Sequence, residues 1–417
     1  MRLLCLCDSP TVNTGFARVA QNLLKRWHAS FGEIDVWGIN FNGWPHELPY
    51  RIYPAGFADW ATQPKLQGFI SRLEMAHRAG RPYTHVWLMQ DTFGLSNCKF
   101  PAVLSEACTK LGARSFLYFP VDAPLEPGWA DIIRNVDVPV AYCEWGREQA
   151  VSAIQDPGTD WESKIRVLPH GVDTGVYRKL PDPRFKLVEE LLPGWLKSDD
   201  VLIVNVSANQ PRKGIISTFQ TFKELKLHHA ANPIPGVRNV RLLMHMTAWN
   251  VHDDSHHLEI LARQMGLKYT EDWRCTDEKS GGHWMGNQPL WSEEKLNKLY
   301  NAADLFLTTT LGEGWGLPIT EAAAAGCPVA APYHTACAEI LDRLQTAAVR
   351  VVRLPVSGIA IVNSTDTRVR FPVNYKEAAY QIYAQLRTGR VELPDCIKEW
   401  LSWDRIADEW MKLFKGE

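Results

Sequence analysis

The chain has 417 residues with 45 Lys and Arg against 47 Asp and Glu, a formal charge of −2, and is 46% hydrophobic. That length predicts two or three domains, and the apolar fraction excludes global disorder. The near-neutral balance argues against holding nucleic acid by bulk charge, and no apolar run approaches the ~18 residues of a membrane span. The nine cysteines form no Cys-x-x-Cys pair, which favours reduced thiols over a disulfide framework or zinc ribbon. The opening Met1–Asp8 is too short and too soon acidic for a signal peptide, so a cytoplasmic protein is expected.

In chain order, Arg2–Cys7 is a short apolar run. A polar loop follows, and from Phe16 the apolar positions Phe16, Val19, Ala20, Leu23, Leu24 and Trp27 have helical spacing. Strand readings recur at Ile34–Ile39, His85–Gln90, Ser115–Phe119 and Val138–Cys143. Helices are predicted around Leu66–Ala79, Val103–Lys110 and Arg147–Ala153. A Gly- and Pro-rich stretch from Pro169 to about Pro183 suits an interdomain connection. The theme then restarts: strands at Val201–Val206, Arg241–Met246, Asp304–Thr308, Pro328–Ala331 and Val349–Arg353, with helices at Gly214–His228, His257–Met265, Glu293–Ala302, Pro318–Ala325 and Thr335–Leu344. Alternating strands and helices predict α/β architecture, with two doubly wound, Rossmann-like parallel sheets facing across a cleft at their carboxyl ends. The expected domains are 1–168, 169–390 and a C-terminal helix, 391–417, crossing back to the first domain.

The most informative segment is Leu311-Gly312-Glu313-Gly314-Trp315-Gly316-Leu317-Pro318-Ile319-Thr320-Glu321-Ala322. A strand runs into a Gly-rich loop, and Pro318 stands where a helix begins. Free amides at Gly316 and Leu317 would make an anion site. Glu313 and Glu321 flank it; carboxylates repel phosphate, so sugar hydroxyls are their expected partners. That suits a ligand with a central diphosphate and hydroxyls at both ends. The alternative is a helix start decorated with Glu to complement its dipole.

This Glu-x7-Glu spacing, with Trp315 in the aromatic position and Ala325-Gly326-Cys327-Pro328-Val329 after it, resembles the signature of family 4 retaining glycosyltransferases with the GT-B fold. The resemblance implies that Glu313 contacts the transferred sugar and Glu321 the nucleotide ribose. Asn209-Gln210-Pro211-Arg212-Lys213-Gly214 resembles the family's basic loop. Asn209 is thereby placed at the donor, and Arg212 and Lys213 at its diphosphate, although Ala208 stands where the family usually has Arg. Thr14-Gly15-Phe16 partly matches a Gly-Gly loop, making Gly15 a donor-binding candidate. Phe119-Pro120-Val121-Asp122 makes Asp122 a candidate for sugar or acceptor contact, the alternative being a turn-forming Asp. Pro169-His170-Gly171-Val172-Asp173 resembles the turn into the second domain, with His170 read mainly as part of a structural hinge. Trp400–Arg405 and the helix after it also resemble the family. The likeness is strongest from Pro169 to Gly326 and thin over residues 30–115.

Three further features bear on function. His252, Asp253, Asp254, His256 and His257 cluster, but lack a third ligand in register, so a polar loop is preferred to a metal site. No Asp-x-Asp triplet occurs, and no metal or other cofactor is expected beyond a nucleotide sugar as co-substrate. Of the 17 tryptophans, Trp37, Trp44, Trp60 and Trp87 lie in the first half, where aromatic faces could stack on sugars or exposed bases.

The resulting expectation is a retaining hexosyl- or pentosyltransferase acting on a hydroxyl acceptor. Its first domain is also similar to bacteriophage glycosyltransferases, which makes a hydroxymethylated pyrimidine in DNA one candidate acceptor and the host cytoplasm the setting. Residues 1–168 carry 16 Lys and Arg against 17 Asp and Glu, which weighs against DNA. A small molecule or glycan acceptor, a nucleotide-sugar epimerase and a non-catalytic nucleotide-sugar binding module remain the alternatives.

Overall fold

The computed structural model describes residues 1–57, 59–248, 256–277, 291–360, 368–386 and 392–417. The chain divides into two compact units: Met1–Gly171 with Trp403–Glu417, and Val172–Ser402.

Unit 1 is built on a seven-stranded parallel sheet. Its strands are β1 (Arg2–Asp8), β2 (Glu33–Ile39), β3 (Arg51–Gly56), β4 (His85–Met89), β5 (Arg114–Phe119), β6 (Val138–Ala141) and β7 (Arg166–Val167). They lie in the order β3-β2-β1-β4-β5-β6-β7. Helices cover both faces, which is why the central strands read as continuous apolar runs instead of alternating ones. On one face Leu4, Leu6, Leu88, Leu117 and Phe119 pack against Phe69, Ile70, Leu73 and Leu104. On the other, Trp87 and Phe116 meet Trp27 of the Gly15–Trp27 helix and Trp410 and Phe414 of the Trp403–Lys415 helix. Ring centroids there are 5.2 Å apart for Trp27–Trp87 and 4.8 Å for Phe116–Phe414. The last helix of the chain is therefore a core element of the first unit.

Unit 2 repeats the plan with β8 (Val201–Val206), β9 (Val240–Thr247), β10 (Trp273–Asp277), β11 (Leu305–Leu307), β12 (Val329–Pro332) and β13 (Val351–Leu354), ordered β10-β9-β8-β11-β12-β13. Val201 and Ile203 bury against Ile215, Phe219 and Phe222 of the Ile215–Ala231 helix. In both sheets the order reverses beside the first strand of the unit, β1 or β8, and ligands bind outside the carboxyl ends of strands at such points.

Three strands escape the periodicity argument: β3, β7 and β10. All three are sheet edges, short or carrying polar residues and proline (Arg51-Ile52-Tyr53-Pro54, Trp273-Arg274-Cys275-Thr276), because an edge needs burial on fewer sides. The helices Arg184–Leu191, Tyr375–Gln385 and Asp395–Trp400 were also not anticipated. Among the described residues no helix is long and apolar enough to cross a membrane.

Candidate active site

The site assembles in unit 2 from two loops that leave β8 and β11, neighbours in the sheet. After β8 the chain makes a single 3-10 turn, Pro211–Lys213, and passes through Gly214 into the long helix. Gly214 has φ +65°, and a Cβ there would stand 2.1 Å from the Thr309 carbonyl oxygen. The turn can lie against the Thr308–Thr310 segment only because Gly214 has no side chain. Hydroxyls fasten the two loops: Thr309 Oγ1 donates to the Gly214 carbonyl at 2.8 Å, and the Thr218 and Thr309 hydroxyls are 2.7 Å apart. Leu311 N–H donates to the Arg212 carbonyl at 2.8 Å.

This fastening brings residues 100 positions apart into one charge cluster. Lys213 Nζ is 2.6 Å from Glu313 Oε1, and Arg212 Nη1 is 3.2 Å from Glu313 Oε2 and 2.8 Å from the Gly312 carbonyl. The side chains are 16%, 26% and 13% exposed for Lys213, Arg212 and Glu313. Burial pushes the Glu313 carboxyl up, but the Lys213 and Arg212 charges outweigh it and leave its pKa at about 2. Two cations thus meet one carboxylate.

Beyond Glu313 the chain turns at Gly316, φ +104°, into the Leu317–Ala324 helix, whose second residue is Pro318. Glu321 lies in that helix, 2% exposed, and accepts a 3.1 Å hydrogen bond from the Tyr300 hydroxyl. The Glu313 amide donates to Thr335 Oγ1 at 3.2 Å; Thr335 opens the Thr335–Thr346 helix at φ +51°. A β-branched residue in the left-handed region is strained, and here the strained residue holds the backbone amide of Glu313. Neighbouring His334 reaches the Thr310 carbonyl at 3.3 Å, and burial lowers its pKa to about 4.

Arg212, Lys213, Glu313, Gly316, Leu317 and Glu321 thus lie on loops and a helix start fed by adjacent strands. Asn209 is used differently from a simple ligand contact: its amide donates to the carbonyls of Thr247 (3.0 Å) and His256 (2.7 Å), and its Oδ1 accepts from the His256 amide at 3.1 Å. It ties the loop after β8 to that after β9. Thr335 and Tyr300 were not singled out from sequence. A Thr opening a helix was the only local sign of the first, and the second had none.

Gly15 and Asp122 belong to unit 1. Gly15 is the exposed first residue of its helix, capped by Thr14, whose hydroxyl accepts from the Ala17 amide at 3.0 Å and donates to Asp8. Gly15 is not among the positive-φ glycines, so small size and not backbone freedom distinguishes it. Asp122 is half-buried, three residues beyond β5. His170 is 4% exposed, its Nδ1 2.8 Å from the Tyr118 hydroxyl, and burial lowers its pKa to about 3, which keeps it neutral. In the histidine-rich cluster, His252, Asp253 and Asp254 lie outside the described residues. Among the described residues no group of three or more His, Cys, Asp and Glu could hold a metal ion.

Residues 238–355 match the family model described as "Glycosyl transferases group 1". No curated protein matches the chain. Solved structures that share its fold include sucrose-phosphate synthase from Thermosynechococcus elongatus (14% identity, TM-score 0.69, covering 100% of this chain and 98% of that one). A glycosyltransferase from Rickettsia africae is similar at 13% identity and TM-score 0.68, with 100% and 98% covered. A UDP-forming alpha,alpha-trehalose-phosphate synthase from Burkholderia xenovorans, in complex with glucose-6-phosphate, has 11% identity and TM-score 0.66 over 100% of both chains. The fold is that of GT-B glycosyltransferases, with a group 1 segment that contains Glu313 and Glu321.

Proposed function

We propose that the protein is a retaining glycosyltransferase that moves a sugar from a nucleoside diphosphate sugar to an acceptor hydroxyl. The observation that carries this reading is the cluster of Lys213, Arg212 and Glu313 beside the Gly316 helix start, with Glu321 buried one helical turn beyond. A diphosphate needs cations and free amides; the ribose and sugar at its two ends need hydrogen-bond acceptors. These residue types stand in that order.

With no donor bound, Glu313 is the counter-ion of both cations. A diphosphate is a stronger and more highly charged competitor for them, and its arrival frees the Glu313 carboxylate to accept hydroxyls of the transferred sugar. Lys213 and Arg212 then act most strongly as the bond between the sugar anomeric carbon and the phosphate oxygen breaks and charge grows on the leaving group. The acceptor oxygen bonds to the same face of that carbon, and its proton passes to the departing phosphate oxygen, which balances the step. Glu321 holds the ribose hydroxyls. No metal or cofactor is part of this proposal, because two side-chain cations supply the charge.

Incubation with a panel of labelled nucleotide sugars and acceptors tests it. Transfer with retained anomeric configuration supports the reading. Isomerised free donor would make the protein an epimerase, and binding without turnover a binding module.

A further inference from the structure

Because the strands of the unit 1 sheet run parallel, their amino ends share one edge, opposite the edge near Gly15 and Asp122. Four neighbouring strands bring charge there. β1 opens with Arg2, β2 with Glu33 and β3 with Arg51, and Arg81 lies just ahead of β4. The register sets Arg2 beside Glu33 and Arg51 beside Asp35. Three guanidiniums converge on one carboxylate: Arg2 Nε and Arg81 Nη2 donate to Glu33 Oε2 at 2.9 and 2.6 Å, and Arg51 Nη2 donates to Oε1 at 2.9 Å. Deeper in, Arg72 Nη2 donates to the fully buried Asp35 at 3.1 Å, and the Tyr83 hydroxyl donates to the same carboxylate.

This network holds more cations than it neutralises. Arg2, Arg51, Arg72 and Arg81 stand against Glu33 and Asp35, four charges to two. Hydrogen bonding from Arg2, with the Arg81 and Arg51 charges, holds the Glu33 carboxyl below its usual range, so it is already ionised and has no further charge to give. Each of the three arginines gives Glu33 a single nitrogen, although a guanidinium presents two parallel donors to a matched oxyanion. Arg2 Nη1 is buried with no acceptor among the described residues, and a buried N–H left so costs free energy. Aromatic rings fix the inner cations, Arg2 at 4.5 Å over Tyr83 and Arg72 at 4.4 Å over Tyr53. Arg51 and Arg81 reach outward, 59% and 63% exposed. Guanidiniums held in place with donors to spare suit anion binding, since little ordering is left to do.

The layout selects the anion. Donors that meet at one point fit a compact tetrahedral oxyanion, whose several oxygens can each accept one, better than a halide. A phosphate monoester carries close to two negative charges at neutral pH, which matches the two unbalanced cations. A nucleic acid or an anionic membrane instead needs cations spread along its path, and the outward neighbour Arg78 is already paired with Glu74 at 3.2 Å.

We propose that this edge binds a small phosphorylated molecule, its phosphate dianion bridging Arg51 and Arg81 on the solvent side of Glu33. The site lies wholly in unit 1, is separate from the Lys213, Arg212 and Glu313 cluster, and stands whether or not the protein transfers sugar.

The test uses the full chain in chloride buffer, with inorganic phosphate and glucose 6-phosphate as probes and calorimetry as the readout. Lys213→Ala is the background, because it weakens phosphate binding at the unit 2 cluster. In that background phosphate should still bind one to one, and adding Arg51→Gln or Arg81→Gln should weaken it about tenfold, the worth of one charge-assisted hydrogen bond. Either arginine variant alone should leave nucleoside diphosphate affinity unchanged. Both arginines are more than half exposed, so the fold is kept. A second reading needs no variant: nitrogen-15 spectra of the arginine side chains in wild type should show Arg51 and Arg81 signals moving with added phosphate. Four results overturn the site: no phosphate or glucose 6-phosphate binding in the Lys213→Ala background at tens of millimolar, affinity unchanged by both arginine variants, Arg51 and Arg81 signals that stay still, or tighter binding of a DNA oligonucleotide or phosphatidylglycerol vesicles with a steep salt slope.

Discussion

Replacing Glu313 with Gln keeps the shape of the side chain and removes the charge that Lys213 and Arg212 share. The Glu313 pKa stands at about 2 in the folded protein against an ordinary 4.5. At about 1.4 kcal/mol per pKa unit, that difference corresponds to a contribution of about 3 kcal/mol to folding stability at pH 7. Because the folded value is depressed, the contribution is fully present above the unfolded pKa and is lost as pH falls through the folded one. At pH 3 about 1.4 kcal/mol remains. Urea unfolding of wild type and Glu313→Gln at matched pH from 7 to 3 reads this directly. The variant should be the less stable by about 3 kcal/mol at neutral pH, and the gap should close by about half at pH 3. A gap that stays constant across that range would refute the ion-paired assignment of Glu313.

Lys213→Ala should cost about 2–4 kcal/mol of transition-state stabilisation, seen as a fall in kcat larger than any rise in donor KM. Near-normal turnover would remove Lys213 from the chemistry. Glu321→Ala should weaken free nucleoside diphosphate binding by about 1–3 kcal/mol, since it leaves donor hydroxyls unpaired. Calorimetry showing unchanged affinity would return Glu321 to a helix-dipole role. Gly214→Ala should destabilise the protein by at least about 2 kcal/mol in urea unfolding, because the new methyl group cannot coexist with the Thr309 carbonyl at 2.1 Å. Wild-type stability in that variant would mean that the two loops are not packed as described.

The amino-acid sequence by itself determined the buried interior of both sheets. Val201–Val206 reads as a strand because all its side chains but Asn205 are apolar and both its faces are covered. Glu293–Ala302 reads as a helix because Ser292 caps it, accepting from the Lys295 amide at 3.3 Å, ahead of an apolar stripe. Gly316 and Pro318 likewise announce a loop turning into a helix, since glycine is free to take the positive φ of the turn and proline's fixed φ suits a first helical turn. These are local rules, and a local string suffices to apply them. Tertiary structure alone decided what depends on partners distant in the chain. The edge strands β3, β7 and β10 exist because a neighbouring strand offers hydrogen bonds, not because their own residues demand burial. Asn209 became a brace because Thr247 and His256 come within reach. The Trp403–Lys415 helix entered the core of unit 1 because Trp27, Trp87 and Phe116 form its other half. Glu313 acquired its two cations because β8 and β11 lie side by side, so residues 100 apart in sequence meet at 2.6 Å. Coulomb forces act through space, and a sequence pattern reports only distance along the chain.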